Sequence, residues 1–448
     1  MNEWMDAESR VERAHELYDK GRWAEAAAEL QAAIAINPYN PAWQFNLGLT
    51  LEAMEDYDHA CKAYRAALEL SPNDIETPTC LGVNLTRLGQ YAEALDCFEQ
   101  IERLDCSYEP AYCNRIVTYA EMGQHDEAEV MFYLAQQLKD DCPLCFYNLG
   151  NSLFVRNQFD RAVYCWRRTL QLDPKHPHAN VRIAEALWAK GDLSGAREHY
   201  EEELRLNPDD AEVLVDFGEL LEELGCADAA EANLRRALEL VPDHAAAHFC
   251  LGELAMRDGR PAIAEGHFRR VLRSDGEYPG IHAKLASVLI RRGQVQEAAR
   301  HLLVEIRRCG DDPTMLQELG QLLLEAHLIR HANNVLRRLV RIAPNDPYAQ
   351  HNLAVSFFRM HRIDDGIRHC RKALKLKPEY TLALYNLALA HLQKGQLPRA
   401  RRYLARALTI APRDEHVRRL SRRLGVVSFW ARLRGRLKPR RHGRRMQD

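Results

Sequence analysis

A single period governs this chain. Residues 41–74, PAWQFNLGLTLEAMEDYDHACKAYRAALELSPND, form one unit, and shifting the frame by 34 residues returns the same residue types through twelve copies, from Ala7 to Asp414, without an insertion or deletion. The small position of the first helical stretch reads Ala14, Gly48, Gly82, Ile116, Gly150, Ala184, Gly218, Gly252, Ala286, Gly320, Ala354 and Ala388. That of the second is alanine in every copy except Gly366. Small side chains at fixed spacing let two helices approach closely. A proline such as Pro38, Pro72, Pro174, Pro208, Pro242, Pro344, Pro378 or Pro412 closes the unit, because proline cannot continue a helix. A period of this length marks an array in which no unit buries its apolar face alone and each stacks on its neighbours.

Length therefore counts repeats, not globules. Alanine, leucine, glutamate and arginine are abundant and no alternating β-branched run occurs, so the expected class is all-α. The pattern resembles the tetratricopeptide repeat family over residues 7–412. That resemblance implies an α-solenoid: antiparallel helix pairs in a right-handed superhelix, with the first helices lining a concave groove that binds proteins or peptides. Repeat 4 matches least well, with Arg115 and Ile116 where leucine and glycine are expected, and local repacking is expected there. Around the twelve units we read an N-terminal extension (1–6), a capping helix (413–424) with Val417, Leu420 and Leu424 as its apolar stripe, and a basic amphipathic and polybasic tail (425–448).

The net charge of −3 conceals a division. Residues 1–244 carry −25 and residues 245–448 carry +22, so the two ends can steer partners of opposite sign or associate with each other. In repeat 7, Glu212, Asp216, Glu219, Glu222 and Glu223 recur at spacings that put most of them on one helical face. Such a run is commonly a solvated surface; on a groove wall it reads as a docking site for a basic segment. The tail supplies one. Trp430 lies on its apolar side with Val426, Phe429, Leu433 and Leu437, while Arg432, Arg434, Arg436, Lys438, Arg440 and Arg441 carry its charge. Physical partners for it are an anionic membrane surface, nucleic-acid phosphates or an acidic protein face, including repeat 7 of its own or a neighbouring molecule.

Groove-facing positions implied by the resemblance include Asn46, Asn114, Asn148, Asn352 and Asn386, at the sixth place of the first helix. An amide donates and accepts, so such a series can hold a peptide backbone without reading side chains. It resembles the asparagine ladder in the repeat domain of O-linked N-acetylglucosamine transferases. Cys80, Arg182, Asp216, Cys250, Lys284 and Glu318 interrupt it. Tyr147, Trp188 and Tyr385 are the aromatic residues expected to face the groove. A carboxylate clamp for chaperone tails would need lysines, arginine and asparagines across three repeats; only Asn148 and Arg182 match, and the clamp is rejected.

Cys142 and Cys145 have the spacing of half a zinc site, with Cys106 and Cys113 able to complete it only if the turns approach; two cysteines at a helix mouth is the commoner meaning. His176 and His178 lie in a proline-rich turn. The twelve cysteines are expected to be reduced thiols, and no metal or cofactor is assigned. No phosphate loop, HExxH helix or nucleophile elbow is present, so no enzyme is expected. MNEWMDAESR has no apolar stretch, which points to a cytoplasmic start. The expected function is a non-catalytic scaffold or adaptor. Two alternatives stay open: an accessory subunit presenting substrates to an enzyme such as a transferase, and nucleic-acid binding by repeats 10–12 and the tail, where Arg337, Arg338, Arg368, Arg371, Lys372, Arg401 and Arg402 crowd.

Overall fold

The computed structural model describes residues 2–139 and 141–436, with side chains over 6–139 and 141–425. It is an all-α solenoid of antiparallel helix pairs, and no strand occurs among the described residues. The helices are α1 (Asn2–Asp19), α2 (Trp23–Ile36), α3 (Pro41–Ala53), α4 (Tyr57–Leu70), α5 (Glu76–Arg87), α6 (Tyr91–Leu104), α7 (Glu109–Glu121), α8 (His125–Leu138), α9 (Pro143–Val155), α10 (Phe159–Leu172), α11 (Ala179–Ala189), α12 (Leu193–Leu206) and α13 (Ala211–Glu223). They continue with α14 (Ala227–Leu240), α15 (Ala245–Arg257), α16 (Pro261–Ser274), α17 (Ile281–Arg291), α18 (Val295–Arg308), α19 (Pro313–Glu325), α20 (Ile329–Ile342), α21 (Pro347–Arg359), α22 (Ile363–Leu376), α23 (Thr381–Gln393), α24 (Leu397–Ile410) and α25 (Glu415–Arg436). The chain forms two compact units, Met1–Asn233 and Leu234–Asp448.

Each helix pair closes around the small first-helix position. A Cβ on Gly48 would stand 2.5 Å from the Tyr64 ring, and one on Gly150 would stand 2.5 Å from Trp166 Nε1. The partner sixteen residues on is the large side chain that fills the pair: Tyr64, Phe98, Trp166 and Phe268 are fully buried. Burying each contributes about 1.5–3 kcal/mol. Repeat 4 repacks as its sequence foretells: Ile116 and Phe132 are both buried, and the buried Arg115 guanidinium pairs with Glu102 at 2.7 Å. At Gly366 the missing methyl makes room for the Phe358 ring, which a Cβ there would strike.

Two devices set the connections. The turn between the paired helices holds a left-handed residue at the same place in every repeat. It is glycine in eight repeats and Glu55, Asn157, His327 and His361 in the others. In several repeats the last residue caps the next first helix: Asn40, Asp210, Asp312 and Asp346 accept from the amides two and three residues on.

Within each unit, consecutive first helices touch: α5 with α7, α7 with α9 and α9 with α11 in the N-terminal unit, and α17 with α19, α19 with α21 and α21 with α23 in the C-terminal one. First helices therefore form the more closely packed layer. Helix α1 begins at Asn2, inside the segment read as an extension. Helix α25 runs on across Gly425, with Val417, Leu420 and Leu424 buried beside Leu384, Ala388 and Leu404.

Candidate functional site

The first-helix layer carries the polar residues expected to bind ligands, and in the N-terminal unit it draws several together. Asn46 on α3 donates from Nδ2 to His15 Nε2 on α1 at 3.1 Å. Asn114 and Asn148 are half-buried, and the half-buried Tyr147 ring lies 4.5 Å from His176. Trp188 on α11 donates from Nε1 to Glu223 on α13 at 2.6 Å, which joins an expected groove aromatic to the acidic run.

Arg182, exposed on α11, pairs with Glu185 at 2.9 Å. Across from them, α13 presents Glu212, Asp216, Glu219, Glu222 and Glu223. Asp216 is half-buried, and burial first, then the charges of Glu185, Glu219, Glu212 and Asp210, push its carboxyl up to about 7. Sequence reasoning missed Glu185 because it sits one repeat earlier and only folding brings it to Asp216.

In the C-terminal unit the asparagines are tied in. Asn386 donates from Nδ2 to His351 Nε2 at 2.9 Å, and the Tyr380 hydroxyl stands 3.2 Å from the other ring nitrogen. Burial lowers the His351 pKa. Asn352 is half-buried, and Tyr385 packs against the cluster of Leu384, Leu404 and Leu420. Where the ladder is interrupted, Lys284 takes over the polar role: its ammonium lies 2.8 Å from Glu253 and 3.9 Å from Glu318, on the neighbouring first helices.

The basic residues of repeats 10–12 separate. Arg368, Arg371 and Lys372 line one cavity with Lys375, Lys394 and Arg399. Arg337 instead lies over the Phe357 ring and Arg338 binds Asp311, while Arg401 and Arg402 are exposed on α24. The side chains of Trp430, Arg432, Arg434 and Arg436 lie outside the described residues, as do Lys438, Arg440 and Arg441 altogether. No described helix is long and apolar enough to cross a membrane.

One cysteine group departs from the expectation of twelve reduced thiols. Cys113 on α7 and Cys145 on α9 are joined as a disulfide, with Cys142 Sγ 3.6 Å from Cys113 Sγ and the Glu109 carboxylate alongside. Cys106 is exposed and takes no part.

Comparison with known proteins agrees with the helix pairing. Models described as "Tetratricopeptide repeat" match residues 11–75, 147–211, 215–279, 251–313 and 357–424. Peroxisome biogenesis protein 5 of Arabidopsis thaliana is 28% identical over 163 residues, 36% of this chain and 22% of that protein. The BBSome complex member BBS4 of Bos taurus is 26% identical over 148 residues, 32% of this chain and 28% of its own length. The chain thus spans under a third of these relatives. Among solved structures, the APC/C hetero-tetramer Cut9-Hcn1 superposes with a TM-score of 0.45 at 15% identity, covering 92% of this chain and 95% of that one. Yeast Tom70 gives 0.39 at 14% identity, covering 96% of both. With family matches over more than half of its length, the chain belongs to the tetratricopeptide repeat family.

Proposed function

We propose that this protein is a non-catalytic binding scaffold whose N-terminal unit takes a basic, extended protein segment on its first-helix layer. The observation that carries the reading is the gathering of Glu185, Glu219, Glu212 and Asp210 around the half-buried carboxyl of Asp216. Like charges held together by the fold raise each other's energy, and a cationic side chain relieves that repulsion. The Trp188 indole beside this group supplies apolar area, and Asn114 and Asn148 on neighbouring first helices supply backbone partners. The printed description of BBS4 as a complex member agrees with a role in protein recognition.

The test uses a fluorescent synthetic peptide of residues 425–448, titrated against a chain ending at Leu424 with anisotropy as the readout. Binding is expected, weakened at least about tenfold by Asp216→Asn combined with Glu185→Gln. An affinity that the double substitution leaves unchanged overturns the reading.

A second reading rests on a separate observation. The cavity lined by Arg368, Arg371, Lys372, Lys375, Lys394 and Arg399, with Asp364 paired to Lys394, carries an excess of positive charge on the C-terminal unit, as contact with a phosphate-rich polymer requires. Retention of single-stranded RNA that falls steeply with salt and is lost on Arg371→Ala with Lys372→Ala supports it; salt-insensitive retention rejects it.

A further inference from the structure

Repeat 4 departs from the pattern of the other repeats, and the cysteine group lies at its junction with repeat 5. Glu109 is the first residue of α7 and Cys113 lies one turn on; Cys142 is the N-cap of α9 and Cys145 stands in its first turn. One ligand atom from each of the four lies within 4.8 Å of the other three. Cys113, Cys142 and Cys145 are buried and Glu109 is half-buried.

We propose that Glu109, Cys113, Cys142 and Cys145 bind one Zn2+ ion when the protein is reduced. The chemistry of the donors points there. Three thiolates and a carboxylate suit a thiophilic ion of tetrahedral preference, the Cys-x2-Cys spacing at a helix start is that of structural zinc ligands, and Glu109 and Cys113 stand one helical turn apart. With zinc–sulfur bonds of about 2.3 Å, the sulfurs of such a site stand about 3.8 Å apart. Cys142 Sγ and Cys113 Sγ are already 3.6 Å apart, and Glu109 Oε1 is 3.3 Å from both Cys113 Sγ and Cys145 Sγ.

The free Cys142 thiol also hydrogen-bonds Glu109, so the carboxylate faces all three sulfurs, and once the Cys113–Cys145 bond is reduced one cation can sit among the four groups. The backbone is prepared for anionic sulfur. Cys142 holds the capping place that Asn40, Asp210, Asp312 and Asp346 hold elsewhere, and its Sγ accepts from the Cys145 amide at 3.3 Å. Both α7 and α9 point their positive N-terminal ends at the group.

Loading follows reduction. A phosphine takes the oxygen of water to become its oxide, the Cys113–Cys145 bond opens to two thiols, and the three thiols release their protons as the ion binds. Zinc then ties the first helices of repeats 4 and 5 together where the sequence departs most from the repeat.

The experiment uses the full chain, reduced with tris(2-carboxyethyl)phosphine, stripped with a chelator and titrated with Zn2+ or Co2+. Expected are one ion per chain by native mass spectrometry, thiolate-to-cobalt charge-transfer absorption, and protection of Cys113, Cys142 and Cys145 from alkylation while exposed Cys106 is modified. Cys142→Ser abolishes uptake, Glu109→Gln weakens it at least about tenfold, and Cys106→Ser leaves it unchanged. Alkylation mapping of the unsubstituted chain keeps the test independent of how the variants fold. No uptake by the reduced chain, or zinc that leaves the three cysteines as reactive as before, overturns the proposal.

Discussion

The indole of Trp188 on α11 donates to the Glu223 carboxylate on α13 across 2.6 Å, bridging two successive first helices of the N-terminal unit. The bond holds one acid of the repeat 7 run in place while its neighbours crowd Asp216. Trp188→Phe keeps most of the apolar area and removes the donor. Denaturant unfolding is expected to show a loss of about 1 kcal/mol, with a shift in midpoint and little change in slope.

Asp216 makes the stability of the unit depend on pH. Its carboxyl, pushed up to about 7 by burial and by Glu185, Glu219, Glu212 and Asp210, binds a proton in the folded state that the unfolded chain has already released. Between the ordinary aspartate range and about 7 the folded state therefore holds more protons, and stability falls as pH rises through that window. Thermal melting is expected to show wild type losing stability from about pH 4 to about pH 7, and Asp216→Asn to flatten that slope. Equal slopes in the two proteins reject the assignment.

The C-terminal unit responds to acid through paired histidines. His282 Nδ1 lies 2.8 Å from His301 Nδ1, and burial lowers both pKa values; Arg308 also disfavours the charged form of His282 and Arg269 that of His301, with Glu277 and Glu297 opposing. The unfolded chain binds protons first as pH drops, so stability is lost below the ordinary histidine range. The same two places in repeat 6 hold Asn180 and His199 at 3.0 Å. His282→Asn is therefore expected to reproduce that pair and raise the melting temperature at about pH 5.5 while changing it little at about pH 8.

Two glycine substitutions separate packing from helix propensity. Gly150→Ala puts a methyl 2.5 Å from Trp166 Nε1, an overpacking cost of about 1–3 kcal/mol that exceeds the gain of up to about 1 kcal/mol from alanine in a helix. Gly266→Ala on α16 meets nothing within 4 Å and is expected to stabilise by about 0.5–1 kcal/mol. Opposite signs in chemical denaturation bear out the closure of each pair around its small position.

The repeat was legible because its constraints are local: a small residue at one place in each helix and a closing proline return at a fixed spacing along the chain. The acidic face was half legible. Its α13 members follow helical spacing, but Glu185 reaches Asp216 only through stacking of consecutive repeats. The left-handed turn at Glu55 left no mark in composition, since the surrounding helices hold that conformation without glycine. On spacing alone, Cys106 and Cys113 together could complete the Cys142–Cys145 pair. The fold brings in one of the two: Cys113 is buried on α7, while Cys106 precedes the helix and is exposed.

In an array held by neighbour contacts, tension at the ends meets no distant strand to shear, so repeats peel away singly and each yields its own length of chain. The link between Cys113 and Cys145 interrupts that sequence. It takes 32 residues out of the path along which force travels, about 110 Å of extension. Whether the closure is sulfur to sulfur or through an ion, a pulled molecule would come up short by that length, and a reductant or a chelator would return it.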